Sequence, residues 1–253
     1  MPSIPRKETE PPTHAPDDAA SAGAGVAAVN RAILVLAAVE NAEGPISLSE
    51  ISRVTGLYKS TVLRLADTLQ HSAYVSRLEN GHYVLGAAIM RMGIAYERSS
   101  PIRRQLQPVL QSLVDQGTES ASFHVRHGDS TRLCLMRIDS RHSTLDRVHA
   151  GDILPLAHGA AGTVILANAH DAPDDGRFAA VRENGLAISI GERDPACAGM
   201  AAPVFSAGGR LLGALSLSGP RERFSPADIE RMRKPLLQAC EELSVMFGAG
   251  RNP

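Results

Sequence analysis

The sequence has few cysteines and no long apolar run. Its three cysteines, Cys134, Cys197 and Cys240, are far apart and odd in number, which indicates neither a disulfide framework nor a CxxC metal site. We expect them to be small buried apolar residues, with Cys197 a weak pocket candidate. No stretch of about 18 apolar residues suggests a membrane span. No signal peptide is recognisable, because proline and both signs of charge precede any apolar stretch. These absences favour a cytoplasmic protein without a membrane partner.

The common signatures of catalysis are also missing. The sequence contains no HExxH, GxSxG or P-loop pattern. Several of the nine histidines could still form an acid–base or metal site with nearby aspartates. The candidates are His124, His127, His142, His149 and His158, with Asp129, Asp146 and Asp152. A hydrolase-like second domain is therefore the alternative hypothesis. The main prediction is that the chain is not an enzyme and uses no cofactor or metal ion.

The most informative segment runs from Pro45 to Gly86. Ser47 and Glu50 have the spacing of a capping box, in which each side chain satisfies a backbone N–H at the start of a helix. We therefore predict a short helix that begins at about Leu48. Gly56 supplies the tight turn after it, because glycine adopts positive φ without steric cost.

A second helix is predicted from Lys59 to Leu69. Its apolar residues recur at spacings of three and four: Val62, Leu63, Leu65, Ala66 and Leu69. The other side carries Lys59, Ser60, Thr61 and Arg64. Such a polar face suits the major groove, where lysine and arginine reach guanine O6 and N7 and hydroxyls reach base edges or phosphates.

Two strand-like segments, Tyr74–Leu78 and His82–Leu85, follow these helices. The Asn80-Gly81 dipeptide between them predicts a type I′ hairpin turn. The helix pair alone leaves DNA binding a minority interpretation, because exposed lysine and arginine are usually just solvated. The added hairpin completes a winged helix-turn-helix and favours DNA binding, with Arg77 and His82 as further predicted contacts.

Charge is informative only locally. The chain has a formal net charge of −1, which gives no support to nucleic-acid binding. Between Ile51 and Ala66, however, Arg53, Lys59 and Arg64 occur without any acidic residue. So small an excess of basic residues predicts only a modest DNA affinity for each module. We therefore expect a dimer or higher oligomer to bind double-stranded DNA.

The segment LSEISRVTGLYKSTVLRLADTLQHSAYVSRLENGHYVLG resembles the DNA-binding part of the IclR-type bacterial transcriptional regulators. The match to TGLxKSTVxRLxxTL, followed by the hairpin, is specific. The resemblance continues through GDILPLAHGAAGTVILA and MAAPVFSAGGRLLGALSLSGP and covers about residues 26–247. It implies a second, GAF-like domain that binds a small effector. One departure is Gly162-Thr163-Val164, where the family commonly has Gly-Lys-Ala, so the effector class should not be copied from a relative.

We predict four segments. Residues 1–25 form a disordered tail, residues 26–86 the winged helix-turn-helix, residues 87–100 a linker helix, and residues 101–248 a GAF-like α+β effector-binding domain. The first helix is expected to bury Ile33, Leu36 and Ala37. The linker helix carries an apolar stripe of Ile89, Met92, Gly93 and Tyr96, which fits a dimer contact, as in the family, or an ordinary core face equally well.

In the second domain, period-two segments alternate with helices, which predicts an antiparallel sheet covered by helices. The expected elements include a hairpin from Ser120, a strand over Leu145–His149, a helix over Pro173–Asn184 and a hairpin around Gly208-Gly209.

The predicted effector site begins at Gly159–Gly162, a helix start without bulky side chains, where unsatisfied N–H groups attract anions. Ser216 and Ser218 share a strand face because they are two residues apart, and the resemblance points them into the effector pocket. Without the resemblance, the ordinary interpretation is that the two serines only form hydrogen bonds with neighbouring loops. By position, Gly199, Met200 and Glu192 would complete the wall. The predicted effector contacts are Ala160, Ala161, Gly199, Met200, Ser216 and Ser218.

The sequence therefore predicts a DNA-binding transcriptional regulator that forms a dimer or tetramer. A small-molecule effector, expected to be a small organic or aromatic acid, would modulate its binding to the operator.

Overall fold

The computed structural model describes residues 26–170, 172 and 175–249. The predicted tail over residues 1–25 lies outside the described residues. The chain divides into two compact units, the first ending at Arg98 and the second beginning at Ser99. Within the described ranges, no helix is both long enough and apolar enough to span a bilayer.

The first unit is a winged helix-turn-helix. Its elements are α1 (Ala27–Glu40), α2 (Leu48–Thr55), α3 (Lys59–His71), β1 (Val75–Arg77), β2 (Tyr83–Leu85) and α4 (Ala87–Ser99), and β1 pairs antiparallel with β2. The capping box at α2 is confirmed: Glu50 N donates to Ser47 Oγ and Ser47 N donates to Glu50 Oε2, each over 3.2 Å. Gly56 ends α2 with a φ of 71°.

The buried face of α1 differs from the prediction. Val35, Ala38 and Val39 are buried, whereas Ile33 is 57% exposed. The sequence AAVNRAILVLAAVE is apolar nearly all round, so its periodicity fits more than one face equally well. Contacts with α2 and α3 select the face that becomes core.

The wing turn is also not the predicted type I′ turn. Leu78 N donates to His82 O over 2.8 Å and Gly81 N donates to Leu78 O over 2.9 Å, which leaves a three-residue loop. A type I′ turn needs positive φ at both central residues, yet only Gly81, at 82°, has it. Asn80 Oδ1 instead accepts a bond from His82 N over 3.1 Å, so its side chain stabilises a different turn.

The second unit is an α+β domain with the expected GAF-like architecture. Its elements are α5 (Pro101–Asp115), β3 (Ser120–His127), β4 (Thr131–Ile138), β5 (Ile153–Pro155), α6 (Ala160–Ala167), α7 (Gly176–Asn184), β6 (Ala187–Ile190), β7 (Cys197–Phe205), β8 (Leu211–Pro220) and α8 (Pro226–Met246). The sheet has the order β5-β4-β3-β8-β7-β6, and every neighbouring pair is antiparallel. Helix α7 begins at Gly176, after the cap residue Asp175; Pro173, where the predicted helix began, lies outside the described residues.

Each face of this sheet has its own apolar core. One core joins the sheet to α5 and α8 and includes Leu110, Phe123, Leu215 and Leu236. The other joins it to α6 and α7 and includes Val164, Phe178, Ala201 and Ala214. Because side chains alternate along a strand, neighbouring residues of β7 and β8 enter different cores.

The predicted strand over Leu145–His149 is wrong, because the structure has irregular chain there. The inward-facing residues are Asp146 and Val148, whereas Leu145 is exposed. Asp146 forms an ion pair with Arg137 at 2.5 Å between Oδ1 and Nη2. A buried charge pair, and not a strand ladder, therefore fixes this segment.

Candidate functional site

Helix α3 presents the predicted polar face to solvent. Lys59, Ser60 and Arg64 are exposed and Thr61 is half-buried, while Val62 and Ala66 on the other side are fully buried. Leu63, predicted as core, is 37% exposed. The geometry therefore leaves the side chains that could reach bases or phosphates free of the core.

Tyr58 is a surface residue that the sequence analysis missed. It precedes α3, and its side chain is 83% exposed and does not cap the helix. Tyr58 comes immediately before the first turn of α3, outside the apolar repeat that begins at Val62. That position could have identified it as a surface residue from the sequence alone. An exposed aromatic residue beside Lys59 suits contact with a sugar–phosphate backbone.

The wing carries the other two predicted DNA contacts. Arg77 on β1 is exposed, and its guanidinium carbon lies 5.8 Å from the centroid of the Tyr83 ring. His82, just before β2, is half-buried. Tyr83 is buried in the core of the first unit, so it fixes the hairpin that carries both residues.

In the second unit, one cavity brings together the predicted effector residues except Met200. Ala160, Ala161, Gly199, Ser216 and Ser218 all line it, and so does Glu192. Its volume is about 50 Å³. Residues from α6, β7 and β8 therefore meet at one place on the α6 face of the sheet.

The prediction for Met200 is corrected by the strand geometry. Met200 is fully buried in the core beneath α5 and α8, whereas its neighbour Gly199 lines the cavity. Adjacent residues of a strand point to opposite faces, so both side-chain positions cannot face the cavity.

The start of α6 is already partly occupied. Gly159, at a φ of 87°, precedes the helix, and its N–H donates to Glu192 Oε2 over 3.0 Å. Arg177 holds the same carboxylate at 3.3 Å. An anion at this helix start would therefore meet the N–H groups of Ala160 and Ala161, which have no intrahelical acceptor.

The two serines have different partners. Ser218 Oγ accepts a bond from Arg137 Nη1 over 3.3 Å, so a structural role explains it in part. Ser216 is only 5% exposed, yet no described residue forms a hydrogen bond with its hydroxyl. In this cavity the hydroxyl of Ser216 is therefore available to a ligand, whereas that of Ser218 is already bonded in part.

His124 on β3 also lines this cavity. Its Nε2 lies 3.0 Å from Ser122 Oγ, while its Nδ1 is buried without a partner. Burial lowers the pKa of His124 to about 3, and the positive charges of Arg132, Arg137 and Arg193 add to that shift. The imidazole is therefore neutral at physiological pH.

Arg132 on β4 is the cavity residue that sequence reasoning missed. It is 4% exposed, its Nη1 donates to the carbonyls of Pro155 and His158, and its Nε is buried without a partner. Burial lowers its pKa to about 10, which still leaves it charged at neutral pH. Arg132 shares one face of β4 with Cys134 and Met136, which are buried. This spacing of two was the sequence signal that could have indicated its burial.

The cavity does not assemble a hydrolase site. Ser122 and His124 resemble a nucleophile and its base, but in the part of the chain that the structure describes no carboxylate orients His124 Nδ1 as a triad requires. Ser122 is itself fully buried. Among the described residues, no group of three or more histidine, cysteine or acidic side chains could hold a metal ion.

Gly162 allows α6 to approach the sheet closely. A β-carbon at this position would overlap the carbonyl oxygen of Leu156 and would lie 2.8 Å from Arg132 Nη1. The absence of a side chain therefore lets Arg132 lie against the first turn of α6.

Comparison with known proteins supports this architecture. The model of the IclR helix-turn-helix domain matches residues 28–79, and the model described as "Bacterial transcriptional regulator IclR C-terminal" matches residues 176–245. The chain is similar to the HTH-type transcriptional regulator BhcR of Paracoccus denitrificans, with 26% identity over 94% of each chain.

Solved structures of this family have the same fold. One, an IclR transcriptional regulator from Silicibacter sp., is 27% identical with a TM-score of 0.75 and covers 89% of this chain and 98% of its own. Another, an IclR homologue from Microbacterium hydrocarbonoxydans complexed with 4-hydroxybenzoate, is 20% identical with a TM-score of 0.69 and covers 87% of this chain and all of its own. With both domain models matched in order, the chain belongs to the IclR family of bacterial DNA-binding transcriptional regulators.

Proposed function

We propose that this regulator binds its operator through α3 and the wing, as a dimer or tetramer, and that a small organic acid bound beside α6 changes its operator affinity. The observation that carries the proposal is the cavity where Ala160, Ala161, Gly199, Ser216 and Ser218 meet. A pocket with few, convergent polar groups is the usual form of a small-molecule site.

The DNA contacts in this proposal are the residues exposed on α3 and the hairpin. Lys59 and Arg64 suit guanine edges, Ser60 and Thr61 suit base edges or phosphates, and Arg77 and His82 suit the backbone beside the wing. A helix-turn-helix places its second helix in the major groove, and α3 is that helix here.

An acid is the expected effector because the cavity offers hydrogen-bond donors. The hydroxyl of Ser216, the first N–H groups of α6 and the guanidinium of Arg132 all face it or border it. The relative from Microbacterium hydrocarbonoxydans holds an aromatic acid, 4-hydroxybenzoate, which supports the same ligand class here.

Self-association is supported by exposed apolar side chains on the first unit. Helix α4 exposes Met90, Met92 and Ile94, and Val29 and Ile33 are exposed on α1. Of the predicted stripe on α4, Met92 and Tyr96 are 55% and 50% exposed and Ile89 is half-buried. An ordinary core face would bury these side chains, so their exposure supports the dimer interpretation of α4. A dimer also supplies the second half-site contact that a weakly basic module needs.

The test is a double substitution, Ser216→Ala with Ser218→Ala, on the full chain. A thermal-shift screen of small and aromatic acids first identifies acids that raise the melting temperature of the parent. DNA affinity is then measured by a gel shift with and without such an acid. We expect the double variant to keep its operator affinity without acid and to lose the acid-dependent change, which is the sign of broken linkage between two sites.

Ser206→Ala is the matched control, because Ser206 is a buried serine near the same sheet but outside the cavity. If the DNA affinity of the double variant changed with the acid as strongly as that of the parent, the two serines would not belong to the effector site. A parent whose DNA affinity responded to no acid would overturn the effector part of the proposal.

A further inference from the structure

The side of α3 that points away from the core contains an acidic residue. The core side of the helix consists of Val62, Leu65, Ala66 and Leu69, which are buried or half-buried. With a rotation of about 100° per residue, the positions within about 30° of the opposite direction are Ser60, Arg64, Asp67 and His71. All four are exposed. A helix that enters the major groove with this side would therefore present Asp67 to the base edges together with Arg64.

The carboxylate of Asp67 is not engaged by the protein itself. In the part of the chain that the structure describes, it has no hydrogen bond or ion pair, and neither does the guanidinium of Arg64 three residues earlier. Opposite charges at this spacing on a helix are close enough to interact, yet no ion pair joins these two side chains. Both charges are therefore available to an outside partner.

A carboxylate can bind favourably to only some of the bases. It accepts hydrogen bonds and donates none, and phosphates repel its negative charge, so Asp67 cannot add to sequence-independent affinity. In the major groove, guanine and thymine present acceptors, whereas cytosine presents the N4 amino donor. Adenine presents its N6 donor beside the N7 acceptor, which would repel the second carboxylate oxygen. Cytosine is therefore the base that best suits Asp67.

The spacing between Arg64 and Asp67 sets where that cytosine lies. Three residues advance about 4.5 Å along a helix axis, and successive phosphates of one DNA strand are about 3.4 Å apart along the duplex. The base pair that faces Asp67 is therefore one or two steps from the base pair that faces Arg64. Because arginine suits guanine O6 and N7, each half-site should contain a guanine with a cytosine one or two positions away.

We propose that Asp67 is a specificity-determining residue for operator binding, and that its carboxylate accepts a hydrogen bond from N4 of a cytosine one or two base pairs from the guanine bound by Arg64. This inference rests on the proposed function, since it takes α3 to be the helix in the major groove. It adds a residue that selects the sequence by repelling the wrong bases as well as by binding the right one.

The experiment compares the base preferences of the full-length parent with those of two variants at Asp67. Bound sites are selected from a pool of random DNA, and each base pair of the selected site is then exchanged in gel shifts. Asp67→Ala removes the acceptor, so the preference for cytosine at one position of each half-site should fall from at least about tenfold to below about threefold. Asp67→Asn presents the amide that matches adenine N6 and N7, so adenine should become the preferred base there.

Glu43→Gln is the matched control for charge, because Glu43 is an exposed acid of the same unit between α1 and α2. It should leave every base preference unchanged. All the variants should keep the melting temperature of the parent, because the substituted side chains are exposed. Variants at Asp67 that bind every sequence more tightly but keep the preferences of the parent would show a merely solvated charge and would overturn the inference.

Arg64→Ala separates this inference from the proposed function. It should relax the preference for guanine at a position one or two base pairs from the position that Asp67→Asn changes. If Arg64→Ala changed a base preference and neither Asp67 variant did, Asp67 would have no role in specificity and α3 would remain the DNA-binding helix. If none of these substitutions changed a base preference, α3 would not read the operator, and the proposed DNA contacts would be wrong as well.

Discussion

Arg64 lies on the exposed side of α3, opposite the buried Val62 and Ala66. We expect Arg64→Ala to weaken specific operator binding by about 1–3 kcal/mol, the value of one good base contact, without changing the melting temperature. Gel shifts with operator and with unrelated DNA measure both affinities. Arg141→Ala is the control, because Arg141 is also exposed but lies in the second unit. Equal operator affinity for Arg64→Ala and the parent would contradict the assignment.

His124 gives the protein a specific dependence of stability on pH. Its pKa is about 3 in the folded chain, against an ordinary value of 6.5. Below pH 6.5 the unfolded chain therefore binds a proton that the folded chain does not, so the free energy of unfolding falls as the pH drops towards 3. This residue contributes a slope of up to about 1.4 kcal/mol per pH unit, and its contribution is complete above pH 6.5.

His124→Asn removes that titration and leaves the other histidines in place. Urea unfolding at pH 7, 6 and 5, followed by circular dichroism, should show that the parent loses stability more steeply than the variant. The difference in slope is the quantity of interest, because any constant cost of the substitution cancels. Parallel stability curves would show that His124 is protonated in the folded state.

At the scale of elements, Gly81 determines whether the wing forms. Its φ is 82°, which a β-branched residue adopts only with strain of about 1–3 kcal/mol. Gly81→Val should therefore distort the hairpin that carries Arg77 and His82, and reduce operator affinity on the order of tenfold. Effector binding should persist, because the second unit has its own cores.

Gly81→Asn is the matched control, since asparagine tolerates positive φ far better than valine. It should keep most of the operator affinity in the same gel-shift assay. If the valine variant lost effector binding as well, the two units would not fold independently.

The elements that sequence could predict are those defined by local signals. The capping box at Ser47, the glycine turn at Gly56 and the period-two strands on either side of Gly81 each depend on a few neighbouring residues. The predicted type of the wing turn was wrong, because an Asn-Gly pair is compatible with both a two-residue turn and a three-residue loop. The hydrogen bond of the Asn80 side chain selects the three-residue loop.

The candidate site was less predictable, because its residues are brought together by tertiary contacts. Periodicity placed Ser216 and Ser218 on one face of β8, but position alone could not decide between Gly199 and Met200. Arg132 looked like an ordinary strand arginine, since only the packing of β5 and α6 over it makes it buried.

At the scale of the whole molecule, the proposed self-association would place more than one copy of α3 on the operator. We expect Met90→Glu with Met92→Glu to weaken self-association, because both are exposed apolar side chains of α4 and, being about 200° apart around the helix, they alter both of its exposed sides. Sedimentation velocity should show a shift towards monomer, and operator affinity should fall by at least about tenfold as linked half-sites are lost. Met246→Glu, at a similarly exposed methionine of α8, is the control. An unchanged sedimentation profile of the double variant would place the interface elsewhere.

The close fit at Gly162 constrains how this regulator can evolve. A side chain there would collide with Leu156 and crowd Arg132, so a mutation at Gly162 disturbs the helix start and the cation together. A smaller side chain at position 132 would lose the bonds to the carbonyls of Pro155 and His158 but would not collide with α6. Lineages descended from this protein are therefore expected to vary at residue 132 while they retain glycine at residue 162.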